Sequence, residues 1–433
     1  MEKSSEVSPC ARSRRALVIS PMLPPRSESD RGGMQRRVGM FLRALAGQCG
    51  HIDFVHILPP DLLNGAAPDG ALDRQQSDFW GVPVHTHCVP RRKRTETLWN
   101  HYGAGIFTTS EQPTLQAYGG TELASIIGRQ LSTVPDIVYV DRLEAMLPVL
   151  HTRLRVPNLL LDLNDVEHKL RLSGGISHLR PARATSLILQ LPALIRTEFQ
   201  AVRRSAIAAV CSEVDRVHLR RLGFGSKVTV VPNAVAVPAA PPDLVAAPTV
   251  LFLGACNYAP NREAAERLAR RIWPMIRAQV PDARLVLAGR DTDRLASRAE
   301  AIAGIDYRGF VADLVALYAE TRLVCCPLLA GSGTRLKLVE AAGFARPMVS
   351  TRLGAEGLDF NDGVDILLRE TDAAIANACI DLLRDDAACL RLGAAARATM
   401  TRLYDSRLIE SQITTLLAAM TRKGLPPDPM SGR

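Results

Sequence analysis

Aromatic side chains make up only 5% of the 433 residues, which weakens any reading that needs the stacking platforms on which single-stranded nucleic acids are held. No CxxC pair occurs among the nine cysteines, and the odd count argues against a disulfide framework. Cys325 and Cys326 lie side by side in an apolar run and read as small buried side chains. No stretch approaches the roughly 20 apolar residues that span a bilayer; the longest candidate, Ser186 to Ile195, is broken by Gln190 and Pro192. The charged N-terminus has no apolar signal core behind it. The expectation is a soluble cytoplasmic protein, with room for peripheral contact at the inner face of the cell membrane.

What is present is ordinary globular material: 47% hydrophobic and 22% charged residues, in a chain long enough for two or three domains. The net charge of +9 is unevenly spread. Residues 1–235 hold 29 Lys and Arg against 21 Asp and Glu, and the remainder holds 24 against 23. Basic clusters stand at Arg12 to Arg15, Arg36-Arg37, Arg91 to Arg94 and Arg203-Arg204. Such a skew attracts polyanions, whether phosphorylated substrates or anionic lipid headgroups. A generally basic, well-hydrated surface accounts for it equally. No recognition motif supports nucleic acid.

Short apolar segments alternate with amphipathic ones, which predicts an α/β protein with parallel sheets and helical crossovers. Strands are expected at 16–20, 52–57, 82–88, 136–140, 158–163, 206–211 and 228–231, then at 249–253, 284–288, 323–327, 347–350 and 365–368. Helices fill intervals such as 34–46, 143–152, 186–204, 213–222, 263–279, 335–342 and 406–420. The Pro- and Ala-rich stretch 237–248 reads as an interdomain linker. The organisation is then an N-terminal extension (1–15), a first Rossmann-like domain (16–236), the linker, a second such domain (249–405), a C-terminal helix (406–423) that can cross back to the first domain, and a tail (424–433). Open α/β domains place ligands at the C-terminal ends of their strands, so the expected site is a cleft where two sets of strand ends face each other.

The most informative segment runs from Leu323 to Ser350 and reads strand, glycine loop, helix, turn, strand. Gly331 and Gly333 permit a sharp turn and close approach to a ligand, and Thr334 is the expected helix N-cap. Amides at that helix start suit a phosphate, with Arg335 and Lys337 adding positive charge. Glu340 falls on the same helix face as Lys337 and suits ribose hydroxyls. An ordinary Lys–Glu surface pair beside a glycine turn is the alternative, although Lys before Glu is the weaker order for such a pair. The loop lacks the spacing of a P-loop and the third glycine of a dinucleotide fingerprint.

This segment resembles retaining glycosyltransferases of family 4, the group 1 type with two facing Rossmann-like domains (the GT-B fold). Matching elements are Gly254 to Asn261, Val280 to Arg290, Tyr307 to Asp313 and Ser350 to Leu358, with Asp162 to Glu167, Val210 to Asp215 and Val231 to Val235 in the first half. The resemblance runs from about residue 16 to about 420. It implies a nucleotide-diphosphate sugar held by the second domain, with Gly331, Ser332, Gly333, Thr334, Arg335 and Lys337 on the diphosphate and Glu340 on the ribose. It implies an acceptor on the first domain, transfer with retention, and no cofactor or metal, the nucleotide sugar being a co-substrate. The expected process is polysaccharide or glycolipid assembly on a glycan or lipid-linked acceptor.

Three departures stand out. Family members often carry two glutamates eight positions apart; Glu340 matches the second, and Ser332 occupies the first. The usual Arg and Lys after the second domain's first strand are missing at 255–261, and Arg335 and Lys337 are expected to replace their charge. The strand ending at Val140 often presents a His to the sugar; here Asp141 and Arg142 follow it, and either serves as the catalytic candidate. In the first domain, Gly32, Gly33 and Arg36, with Arg37 as an alternative, are expected at an acceptor or phosphate loop, or else form a turn into a solvated helix. Asp165 and Glu167 are expected to line the cleft or to cap the following helix. His85 and His87 share a strand face, but no second ligand pair appears, and no metal is expected. The rival readings are a noncatalytic scaffold or binding subunit of the same fold, and a sugar-nucleotide epimerase.

Overall fold

The computed structural model describes residues 13–23, 33–63, 70–92, 115–173, 181–296, 302–331 and 333–422. The chain divides into two compact units, Met1–Val231 with Ile409–Arg433, and Pro232–Leu408.

Unit 1 is built on seven parallel strands: β1 (Arg15–Ser20), β2 (His51–Leu58), β3 (Val84–Pro90), β4 (Ile137–Asp141), β5 (Leu159–Asn164), β6 (Ile207–Val210) and β7 (Val228–Val230). Their order is β3-β2-β1-β4-β5-β6-β7. The inner strands read as near-continuous apolar runs because helices cover both sheet faces, and Ala16 to Ile19 and Ile137 to Val140 are wholly buried. Strand order reverses between β1 and β4, which pair from Ala16–Ile137 to Ile19–Val140. Open α/β sheets place their ligands at such a junction, here beyond Ser20 and Asp141.

Unit 2 repeats the plan with β8 (Thr249–Leu253), β9 (Arg284–Ala288), β10 (Ile305–Gly309), β11 (Leu323–Cys326), β12 (Met348–Ser350) and β13 (Leu367–Leu368), ordered β10-β9-β8-β11-β12-β13. Its reversal lies between β8 and β11. Strand β10 was not among the expected ones. It is an edge strand of mixed composition with mostly half-buried side chains, so it lacks the apolar run that marks its neighbours. The helix expected over 263–279 begins earlier, at Ala259, and opens into a wide turn at Leu268–Ile272 before continuing as Trp273–Gln279. Pro274, which has no N–H to give the preceding turn, follows that widening.

Residues 237–248 form no regular element and lie within unit 2, fastened there by arginines. Arg397 donates to the Pro238 carbonyl at 2.6 Å, Arg346 to those of Pro242 and Asp243 at 2.9 Å each, and Arg322 to that of Val245 at 3.2 Å. The helix Ser406–Arg422 belongs to unit 1 from Ile409 onward. It buries Ile409, Ile413, Leu417 and Met420, a single helical stripe, and the Thr414 carbonyl accepts from Gln48 at 2.6 Å. Among the described residues, no helix is long and apolar enough to cross a membrane, and the eight described cysteines are all free thiols.

Candidate functional site

In unit 2 the helix Leu336–Gly343 starts just past the C-terminal end of β11, so its first-turn amides and positive dipole end lie beside the glycine loop. Gly331 (φ 109°) and Gly333 (φ 76°) both adopt backbone that side chains rarely tolerate, which is why glycine stands there. Arg335 donates to the Gly333 carbonyl at 2.5 Å and is buried. Lys337 reaches across to the end of β8, where its Nζ donates to Asn261 Oδ1 at 2.8 Å and lies 4.4 Å from the centre of the Phe252 ring. Burial, with the Arg335 charge adding to it, draws the Lys337 ammonium below the usual lysine range. A desolvated cation held this way is preorganised for an anion. Glu340 is buried one helical turn further on.

Two glycines make room for this cation. A Cβ on Gly254 would lie 2.7 Å from Lys337 Nζ, and one on Gly289 would lie 2.3 Å from the Gly254 carbonyl oxygen. The expected capping role of Thr334 is corrected: the helix N-cap is Arg335, which makes no side-chain cap bond. The Thr334 hydroxyl instead accepts from Asn233 Nδ2 at 2.8 Å, tying the start of unit 2 to the loop.

In unit 1 the strand ends at the reversal carry charge. Ser20 Oγ donates to Asp141 Oδ2 at 2.7 Å, and Asp141 is almost wholly buried. Burial, opposed by Arg142 and reinforced by Asp162, pushes the Asp141 carboxyl up to about 6. Arg142, with its Nε 3.8 Å from Asp141, has φ 73°, and Asn164 at the end of β5 has φ 63°. Left-handed backbone at two adjacent strand ends is the kind of strain that accumulates at functional sites. Glu167 opens the helix Glu167–Ser173; burial, then the nearby Glu144, raises its carboxyl to about 7, against the pull of Arg171 3.6 Å away. Carboxyls poised near neutrality in a crevice mark a candidate site. Asp165 is half-buried just past β5.

Arg37, the alternative expected at the acceptor loop, has its guanidinium engaged inside unit 1. It is buried and forks onto Asp162 through two 2.7 Å bonds, with a third to the Val231 carbonyl at 2.7 Å. Arg36 is half-buried on the same helix, Gly33–Ala46, of which Gly33 is the first residue. Gly32 and Ser332 lie outside the described residues. His85 and His87 are directed to different carboxylates, His85 to Asp73 at 3.2 Å and His87 to Asp53 at 4.0 Å. Among the described residues no group of three potential metal ligands forms. Sequence reasoning missed Ser20, Tyr139, Glu198, His168 and His218. The only signal for the two histidines was their place directly behind Glu167 and within the helix following β6.

The two open parallel α/β units match the two-domain GT-B fold. Solved structures agree over nearly the whole chain. HepE of Anabaena, in complex with UDP and glucose, superposes with a TM-score of 0.60 at 14% identity, covering 94% of this chain and 100% of that one. Sucrose-phosphate synthase of Thermosynechococcus elongatus does so at 0.65 and 16%, covering 95% and 99%. Residues 247–385, within unit 2, match the family model described as Glycosyl transferases group 1. The chain is 32% identical over 213 residues to phosphatidyl-myo-inositol mannosyltransferase of Mycobacterium leprae, covering 46% of this chain and 56% of the relative. It is 24% identical over 173 residues to an uncharacterized 44.6 kDa protein in the cps region of Klebsiella pneumoniae, covering 38% and 44%. The alignments thus span about half the length of these curated relatives.

Proposed function

We propose that the protein is a glycosyltransferase that moves a sugar from a nucleotide-diphosphate donor to a glycan or lipid-linked acceptor with retention, in polysaccharide or glycolipid assembly. The observation that carries this reading is the Lys337 ammonium, half-buried at the end of β8 between Asn261, the Phe252 ring and the open face of Gly254. In this reading Lys337, Arg335 and the amides at the start of the Leu336–Gly343 helix hold the diphosphate and stabilise the charge that grows on it as the sugar departs. Glu340 accepts from the ribose hydroxyls. The role needs no metal, because these groups supply the positive charge at the leaving group. The structure of HepE with UDP-glucose, a protein of the same fold, supports a nucleotide-sugar donor.

Unit 1 holds the acceptor in this reading, with Asp141 and Arg142 nearest the reacting groups and Asp165 and Glu167 receiving acceptor hydroxyls. The basic charge of the first half and a relative named for a phosphatidyl-inositol acceptor favour a lipid-linked substrate at an anionic membrane. The test is a panel of UDP- and GDP-sugars screened for thermal stabilisation, followed by turnover with lipid-linked acceptors. One donor should raise the melting temperature of the native chain and fail to do so for Lys337→Ala. Equal stabilisation of both would overturn the assignment of the cation.

A further inference from the structure

The longest apolar run of the sequence, Ser186 to Ile195, lies on the helix Pro181–Arg204 of unit 1, and the core uses only half of it. Ala193, Leu194, Thr197 and Ala201 are buried and form one face of that helix. With about 3.6 residues per turn, Ile188, Pro192, Ile195 and Phe199 fall in a single stripe on the opposite face. Ile188 is 52% exposed, Pro192 is exposed, and Ile195 and Phe199 are half-buried. Phe199 meets Phe224 edge-on, with ring centres 5.1 Å apart, which brings the segment Arg220–Phe224 and its exposed Leu222 to the end of the stripe. Arg196 and Arg203 are exposed along the stripe, as are Arg220 and Arg221 near its end. Of the 24 residues of the helix only Glu198 is acidic, and it is buried.

This helix is longer than the sheet it covers. Its 24 residues rise about 36 Å, and the six of β5 roughly 20 Å. Its C-terminal end is fixed beside the start of β5, where Arg204 donates to the Leu154 carbonyl and the Ala206 N–H to that of Leu159 at 2.9 Å. The surplus therefore stands past the C-terminal ends of the strands. Glu198 marks their level: Oε1 accepts from the Glu167 backbone N–H at 2.8 Å, Oε2 faces His168 Nδ1, and His168 in turn meets His218 Nε2 at 2.7 Å. Ile188 precedes Glu198 in the chain and lies about 15 Å further out along the helix.

We propose that the outward face of this helix is a docking surface for an anionic lipid bilayer, with the Ile188 stripe in the headgroup layer and Arg196 and Arg203 on lipid phosphates. A helix that lies in the plane of a bilayer needs an apolar stripe and flanking cations, and an acid among them would be repelled. This face has the first two, and its one acid is turned inward. A second copy of the chain fits less well. Stripe laid on stripe would crowd the arginines of both copies together, with no exposed acid on the helix to offset them. Docking in this way sets the bilayer beside the strand ends of unit 1, and its use in transfer rests on the acceptor reading given above.

The full chain is mixed with vesicles of phosphatidylcholine alone, or of phosphatidylcholine with phosphatidylglycerol, and binding is read by co-sedimentation with no sugar present. It should bind the mixed vesicles and not the neutral ones, and lose at least about tenfold in affinity at about 1 M salt, where the screening length is about 3 Å. Ile188→Asp should weaken binding about tenfold with an unchanged melting temperature, because the side chain it replaces is exposed. Arg196→Glu combined with Arg203→Glu should weaken binding about tenfold or more and flatten its salt dependence. Ser125→Asp makes the same change of charge at an exposed position on another helix of unit 1 and should leave binding as it is. Failure of the native chain to bind the mixed vesicles overturns the proposal, as does binding that Ile188→Asp leaves intact. An equal loss in Ser125→Asp reduces the effect to net charge and overturns it too. Light scattering tests the second copy: a native dimer that Ile188→Asp converts to monomer, with vesicle binding unaltered, assigns the face to self-association instead. None of these measurements involves the donor, so their failure leaves the role of Lys337 standing, and a failed donor screen leaves the lipid surface standing.

Discussion

Arg37 and Asp162 meet inside unit 1 through two 2.7 Å bonds, with neither side chain open to solvent. Asp162 also accepts from the Tyr139 hydroxyl at 3.1 Å, and Arg37 from its far side donates to Val231, the last residue before the chain enters unit 2. One ion pair therefore locks the first helix to β4, β5 and the exit of the unit. Arg37→Met leaves a buried carboxylate without its counter-charge and should cost about 3–5 kcal/mol. Adding Asp162→Leu removes the stranded charge and should recover most of that loss. Urea unfolding of the single and double variants reads both outcomes.

Burial pushes the Asp141 carboxyl up to about 6 from the ordinary 3.8. A folded carboxyl that binds its proton more tightly than the unfolded one favours folding at low pH, and this contribution fades as pH rises from 3.8 through about 6. Above that range the buried charge costs about 3 kcal/mol. Asp141→Asn keeps an acceptor for Ser20 and removes the charge. Its melting temperature should exceed that of the native chain at pH 8 and match it near pH 4, while transfer activity falls at least about 100-fold, a trade of function for stability. Scanning calorimetry at the two pH values checks the sign.

Gly254→Ala should leave unit 2 folded and still weaken the donor. The new methyl meets Lys337 Nζ at 2.7 Å and the Asn261 side chain at 3.0–3.1 Å, both flexible ends that can swing aside. Displacing the ammonium from its place should reduce affinity for the stabilising nucleotide sugar about tenfold or more, worth roughly 1.4 kcal/mol. Calorimetric titration measures it, and an unaltered melting temperature without ligand separates it from misfolding.

Gly289→Ala makes the opposite case. Its φ of 127° disfavours any side chain, and the methyl would strike the Gly254 carbonyl at 2.3 Å, backbone against backbone. A loss of about 3 kcal/mol or more is expected from strain and overpacking together, read as a lowered urea midpoint for unit 2.

The alternation of apolar strands and amphipathic helices made both units legible, because buried parallel strands must be apolar throughout and their crossovers must be helical. β10 escaped because Asp306, Tyr307 and Arg308 on an edge need no such run. The sharp turn expected at Gly331 and Gly333 was legible as well, since both adopt positive φ, and Lys337 Nζ meets Asn261 Oδ1. Thr334 was misread because a hydroxyl before a helix caps it only if the chain turns there, and here Asn233, 101 residues earlier, engages that hydroxyl. The same distance problem hid Arg37. A basic residue near a glycine turn looks solvated until its partner arrives from β5, 125 residues on. Likewise, nothing local pairs His168 with His218, 50 residues away.

The second unit begins and ends at one spot. Val235 pairs with Asp405 in a parallel bridge, its N–H donating to the Tyr404 carbonyl at 3.2 Å and its carbonyl accepting from Ser406 at 3.0 Å. A segment whose two ends are already stapled together is a natural cassette. Residues 232–408, expressed alone or rejoined end to end by a few linking residues and reopened at an exposed turn, should therefore fold with all six strands of the sheet intact.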